Sequence, residues 1–270
     1  MGHGGAGTAS SPNFFELIFV GTGRPHPCYK WVTVKPQHLK KLLDAKRQWS
    51  EPLAPEEIAK GFKGWYSSKY LPHFDAPGTQ QFITYRLADA LPASRRSEWE
   101  VFLKLANDLE KQRRIEAYLD RGHGECHLRD PRIAALVQGN LWHHDGVKYR
   151  LLAWVVMPNH VHALIELWQV PMGKILHGGK SYTSKEANKI LGREGVFWED
   201  DYFDRKIRDE QHFGRVVRYI ENNPVNARLV RAPEDWPWSS ARYRAKEDFS
   251  ARTLTHPNAD RIPPLTSPSA

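Results

Sequence analysis

From residue 80 onward, the apolar positions alternate between strand-like and helix-like spacing. Gln81–Leu87 (Gln-Phe-Ile-Thr-Tyr-Arg-Leu) is rich in β-branched and aromatic residues and predicts a strand. Across Ser97–Leu119, Trp99, Phe102, Leu103, Ala106 and Leu109 recur at helical spacing, which predicts one long helix. Pro131–Trp142 predicts a shorter helix, with proline in its first turn and Ile133, Ala134, Val137 and Leu141 on one side. Tyr149–Met157 is an almost continuous apolar run, as expected of a strand covered on both faces. Pro158-Asn159 marks a turn. His160–Leu167 then alternates: His160, His162, Leu164 and Glu166 point one way, and Val161, Ala163, Ile165 and Leu167 the other. The two runs predict a hairpin.

Further on, Ser184–Leu191 predicts a helix stopped by Gly192. Phe197–Arg208 is aromatic and charged and reads as loop with a short strand. Asp209 can cap a helix reaching about Asn223, with Phe213, Val216, Val217 and Ile220 as its apolar stripe. Upstream, 1–12 is Gly/Ser-rich and predicted disordered, a helix is plausible over Gln37–Trp49, and Tyr70–Gly78 reads as a loop. Strands and helices interleave, so the predicted class is α+β with an antiparallel sheet. The expected organisation is an N-terminal extension over 1–78, a main domain over 79–243 and a polar tail over 244–270.

Composition adds a partner class. The chain has 270 residues, 40% hydrophobic and 26% charged, with a net charge of +8, which favours a polyanionic partner such as DNA, RNA or an anionic membrane surface. No apolar run approaches the roughly 20 residues needed to span a bilayer, and Phe14–Val20 lacks the flanks of a signal sequence, so a cytoplasmic location is expected. Two cysteines far apart, Cys28 and Cys126, suggest no disulfide framework. Some of the ten tryptophans could stack on bases if the partner is single-stranded.

His160-Val161-His162 is the first chemical signal. On a strand both imidazoles project from one face, about 7 Å apart along the backbone, and their side chains can converge on one ion. A third ligand from elsewhere would leave room for a substrate oxygen. The pair alone is unspecific in a chain with 13 histidines, but a buried strand and a tight turn make it a rigid mount.

Arg218-Tyr-Ile-Glu-Asn-Asn-Pro-Val-Asn-Ala-Arg-Leu-Val230 is the second signal. Tyr219 and Asn223 are four apart and share a helical face. A phenol with an ordinary pKa of about 10 is a poor nucleophile unless a metal or cations favour its phenolate. Asn223 could give a metal its third, neutral oxygen ligand. Pro224 disfavours the helical conformation at Asn223, so the helix is expected to end or kink there. A half-buried structural tyrosine beside Val216 is the alternative.

Together these residues resemble the HUH single-strand transposases with one tyrosine, especially the REP-associated tyrosine transposases. The resemblance is carried by Met157-Pro-Asn-His-Val-His-Ala-Leu-Ile165 and by Tyr219 through Val230. Phe82-Ile-Thr-Tyr-Arg-Leu87, Asp201 through Arg208 and Trp236-Pro-Trp-Ser-Ser240 support it, over roughly residues 70–243. It implies a ferredoxin-like antiparallel sheet with helices packed on it, the histidines on a central strand and the tyrosine helix across them. It further implies His160, His162 and Asn223 as ligands of Mg²⁺ or Mn²⁺, and Tyr219 as nucleophile. The implied chemistry is reversible transesterification of single-stranded DNA containing imperfect palindromes, through a 5′-phosphotyrosine link. Members act as monomers or homodimers.

Arg86, Arg205, Lys206, Arg208 and Arg218 are candidate phosphate contacts, with a solvated charged face as the alternative. Trp238, and Trp236 beside it, are candidates to stack on bases or on the sheet, and Ser239 and Ser240 to cap a helix or touch DNA. His123-Gly-Glu-Cys-His127 is too crowded for usual zinc spacing, His73 and Asp75 read as structural, and His143-His144 as an exposed helix end. Two other functions compete: a catalytically silent module that binds DNA hairpins, and a metal-dependent phosphodiesterase that uses water.

Overall fold

The computed structural model describes residues 52–68, 71–103 and 108–244. The expected 37–49 helix, the 1–12 segment and the 245–270 tail lie outside these residues.

The elements are α1 (Pro55–Lys60), β1 (Gly64–Ser68), β2 (Leu71–Asp75), β3 (Gln80–Arg86), α2 (Arg96–Leu103), α3 (Asp108–Leu119) and α4 (Pro131–His144). They continue with β4 (Tyr149–Val156), β5 (His160–Leu167), α5 (Met172–Leu191), β6 (Phe203–Lys206) and α6 (Glu210–Asn226). The main sheet has the order β4-β5-β3-β6, and every pairing in it is antiparallel. The fold is therefore α+β, and this β-α-β-β-α-β succession agrees with the ferredoxin-like expectation.

The hydrophobic pattern explains the layering. β4 is buried at every position, and β5 at every position but Glu166. Val161, Ala163, Ile165 and Leu167 face a large core with Ile133, Val137 and Leu141 of α4 and Ile175 and Leu176 of α5. Leu164, with Phe82, Leu152 and Val155, faces Phe213, Val216, Val217 and Ile220 of α6. The sheet is thus sandwiched, and the histidine face of β5 is the face that α6 covers.

Four expectations need correction. Tyr70–Gly78 is not simply a loop: β2 occupies 71–75 and pairs with β1, Trp65 opposite Phe74. The composition hid this strand because Pro72 interrupts it, and proline is tolerated in a short two-stranded edge. The single long helix is two segments, α2 and α3, with 104–107 outside the described residues. α5 starts at Met172, well before Ser184. Its Gly178-Gly179 pair obscured the signal, yet Gly179 is buried where an added Cβ would come within 2.8 Å of the Asn140 amide. Lastly, α6 neither ends nor breaks at Asn223. It continues through Pro224 to Asn226, and Ala227 N still donates to Asn223 O at 2.9 Å. Pro224 removes only the N–H that would reach Ile220 O, while the carbonyls of Asn223, Pro224 and Val225 accept from Ala227, Leu229 and Arg228 N, so the last turn stays closed.

Two anchors fix α6. The Asp209 carboxylate accepts from His212 N at 2.6 Å as the N-cap. Near the other end, buried Glu221 accepts from Ser240 Oγ at 2.7 Å and from Arg244 Nε at 2.8 Å. Ser240 Oγ also accepts from Trp154 N, and Trp238 O accepts from Val156 N, so the Trp-Pro-Trp-Ser-Ser segment covers the outer edge of β4. An open edge would otherwise present unpaired donors and acceptors.

Candidate active site

β5 begins with His160, directly after the turn, and the pairing register sets Arg86 opposite His160 and Thr84 opposite His162. Both histidines are fully buried. Their Nε2 atoms approach to 3.1 Å. Burial first, then Arg86, holds His160 down at about 3. Burial, then His160, holds His162 well below its ordinary value. Both rings are therefore neutral at neutral pH, the state that ligates a metal.

The second nitrogen of each ring is engaged. His160 Nδ1 is 2.8 Å from Asn159 Oδ1, and His162 Nδ1 is 2.8 Å from Thr84 Oγ1. The Asn159 amide nitrogen donates to Leu119 O at 3.1 Å and His123 O at 3.0 Å, so its oxygen must face the imidazole. An amide oxygen only accepts, so His160 carries its proton on Nδ1 and presents a lone pair at Nε2.

Tyr219, on α6, places its hydroxyl 3.4 Å from His162 Nε2 and packs edge-on against Phe82, with centroids 5.9 Å apart. Phe82 also stacks on His162 at 5.4 Å. Burial raises the Tyr219 phenol well above its ordinary value; the carboxylates of Glu116 and Asp120 raise it further, and the Asn223 amide offsets part of this. The half-buried phenol is accordingly protonated and unreactive until positive charge is placed beside it.

Asn223 is fully buried one turn after Tyr219, and among the described residues its Oδ1 and Nδ2 have no hydrogen-bond partner. Asp120 closes the last turn of α3. Its Oδ1 is buried without a hydrogen-bond partner, 3.8 Å from His160 Nε2. Burial, then Glu116, pushes this carboxyl up to about 7.

Among the described residues, no three His, Cys, Asp or Glu side chains stand ready as a metal-binding group. A mixed set nevertheless fits a divalent cation: the His160 Nε2 lone pair, His162 Nε2 at 3.1 Å from it, and the amide oxygen of Asn223 without a hydrogen-bond partner, all buried.

The other sequence candidates separate by sheet face. Phe203 lies opposite Thr84 and Arg205 opposite Phe82, so Arg205 shares the histidine face, as does Arg86. The Arg205 guanidinium lies 5.7 Å over the Phe203 ring. Arg86 Nη2 is 4.0 Å from Glu199 Oε2. Lys206 falls on the opposite face, its ammonium 4.8 Å over the Phe74 ring. Arg208 and Arg218 are exposed, before and within α6. Trp238 packs against the core on the face away from the histidines, and Ser239 caps the short turn that follows by accepting from Ala241 N. His123 and His127 diverge, to Arg95 and Arg193 respectively, and Cys126 Sγ donates to Gly122 O. His73 and Asp75 are structural: His73 sits between Asp201 and Asp204, and Asp75 accepts from Met172 N at the start of α5.

Sequence reasoning passed over Asn159, Thr84, Glu116 and Asp120 as site residues. Asn159 could have been found as the neighbour of a ligand histidine. Nothing in the spacing joins Glu116 and Asp120 to a strand some 40 residues away.

Residues 142–223 match the family model described as "Transposase IS200 like", a stretch that encloses both histidines, Tyr219 and Asn223. The chain resembles the IS200-like transposases. It is 28% identical over 93 residues to a REP-associated tyrosine transposase of Escherichia coli (strain K12), covering 34% of this chain and 54% of that protein. It is 29% identical over 98 residues to an uncharacterized protein of Haemophilus influenzae, covering 28% of this chain and 54% of that one. The chain thus spans about half the length of the curated relatives it matches. A solved structure titled as a REP-associated tyrosine transposase bound to a REP hairpin superimposes with a TM-score of 0.38 at 21% identity, covering 69% of this chain and 98% of that one. Among the described residues, no helix is long and apolar enough to cross a membrane.

Proposed function

We propose that this protein is a metal-dependent transposase-like enzyme that nicks and rejoins single-stranded, hairpin-containing DNA, with Tyr219 as nucleophile. The observation that carries this reading is the Tyr219 hydroxyl 3.4 Å from Nε2 of a buried, neutral His162, itself 3.1 Å from His160 Nε2. Tyr219 Oη attacks the phosphorus of a phosphodiester and the bond to the 3′ oxygen breaks. The phenol loses its proton, the departing 3′ oxygen gains one, and the 5′ phosphate stays on the tyrosine. Attack by a 3′-OH reverses the exchange without an energy source, because one phosphodiester replaces another. His160, His162 and Asn223 would hold Mg²⁺ or Mn²⁺, which when bound supplies Lewis-acid polarisation of the phosphate and favours the phenolate. Arg86 and Arg205 share the histidine face and are suited to phosphate; Arg208 and Arg218 are exposed beside it.

The test is incubation with a labelled hairpin oligonucleotide and Mg²⁺ or Mn²⁺. The wild-type chain is expected to form a covalent protein–DNA adduct and Tyr219→Phe none. Cleavage that survives in Tyr219→Phe would assign the chemistry to water. Binding without adduct under either metal would mark a silent hairpin-binding relative.

A further inference from the structure

We propose that Asp120 is an anionic oxygen ligand of the cation held by His160 and His162. This rests on the metal reading above and adds to it a residue from a different part of the chain.

Asn159 fixes the proton of His160 on Nδ1, so Nε2 offers only a lone pair. Asp120 Oδ1 faces this lone pair at 3.8 Å, buried and without a hydrogen-bond partner. In its charged form the Asp120 oxygen repels that lone pair, and burial strengthens the repulsion. A shared cation removes it. The gap is too long for a hydrogen bond, yet shorter than the sum of two metal–ligand bonds of about 2.1 Å each.

Charge balance points the same way. The two imidazoles and the Asn223 amide are neutral, and Arg86 lies across from His160. Of the two carboxylates that act on Tyr219, Glu116 and Asp120, it is Asp120 whose oxygen faces His160. Hard cations prefer anionic oxygen, and ligand charge tunes their affinity. Position is secured as well. The amide that orients His160 also holds Leu119 O at 3.1 Å and His123 O at 3.0 Å, pinning the backbone on both sides of Asp120.

The test uses the full chain and Mn²⁺ alone, titrated while the free aquo ion is followed by electron paramagnetic resonance. Wild type is compared with Asp120→Asn, Asp120→Ala and His160→Ala, and metal-free melting is recorded for each. Both Asp120 variants are expected to bind Mn²⁺ at least about 10-fold more weakly, the minimum that even outer-shell losses bring. Their metal-free melting temperatures are expected at or above wild type, because an unpartnered buried oxygen is removed or neutralised. Affinity in Asp120→Asn equal to wild type, alongside loss of binding in His160→Ala, overturns the proposal and leaves the metal reading intact. Lower metal-free stability or failed folding in both Asp120 variants also overturns it, assigning the carboxylate a structural task. Absence of Mn²⁺ binding in wild type removes the metal reading and this proposal together.

Discussion

The hydroxyl of Tyr219 and Nε2 of His162, 3.4 Å apart, belong to the same chain. α6 packs its apolar stripe on the sheet that bears the histidines and is tied at Glu221 to Ser240 and Arg244. One copy therefore brings Tyr219 and the histidine pair together. Mixing Tyr219→Phe with His162→Ala should yield no covalent DNA adduct, since neither chain carries a whole site. Adduct formed by the mixture, resolved by electrophoresis, would show that sites assemble between chains.

Asn159 joins three groups, through two donated bonds and one accepted. Asn159→Ala frees the His160 ring and leaves two carbonyls short of a partner. The expected loss of stability is about 1–3 kcal/mol, read by denaturant unfolding. Mn²⁺ affinity should fall on the order of 10- to 100-fold, read by calorimetric titration, as for other residues that orient a ligand histidine. Unchanged affinity would show that the strand alone orients the ring.

His73 predicts a pH dependence remote from the site. It is fully buried with Nδ1 2.5 Å from Asp204 and Nε2 3.2 Å from Asp201, tying the β1–β2 hairpin to β6 and its approach. Burial opposes its charge, but the hydrogen bonds to Asp201 and Asp204 outweigh that and raise it to about 9. A histidine whose folded pKa exceeds its unfolded value of about 6.5 stabilises fully below that pH. The contribution, up to about 3 kcal/mol, fades above it and is gone once pH passes the folded value. Unfolding free energies of wild type and His73→Gln should therefore differ most near pH 6 and converge near pH 10. A difference that does not change with pH would mean His73 is neutral in the folded protein.

The sequence exposed most of the frame because its elements obey simple periods. The apolar run of β4, the alternation in β5 and the stripe of α6 each state which face is buried, and packing follows from that. β2 and the first half of α5 were hidden because Pro72 and Gly178-Gly179 oppose local propensity. Those positions are settled by pairing with β1 and by close approach to Asn140. Among candidate DNA contacts, position 206 was indistinguishable from 205 in sequence, although one residue's step along a strand reverses the face.

By itself the sequence determined the two imidazoles on one strand face, the tyrosine and asparagine on one helical face, and the class of partner suggested by charge. These are local properties, set by the backbone repeat within a few residues. Only the tertiary structure decided that α6 lies over the histidine face, that Asn159 fixes the proton of His160, and that Asp120 turns an unpartnered oxygen toward it. Those relations join residues tens of positions apart. They depend on which apolar faces meet in the core, and no period along the chain encodes that meeting.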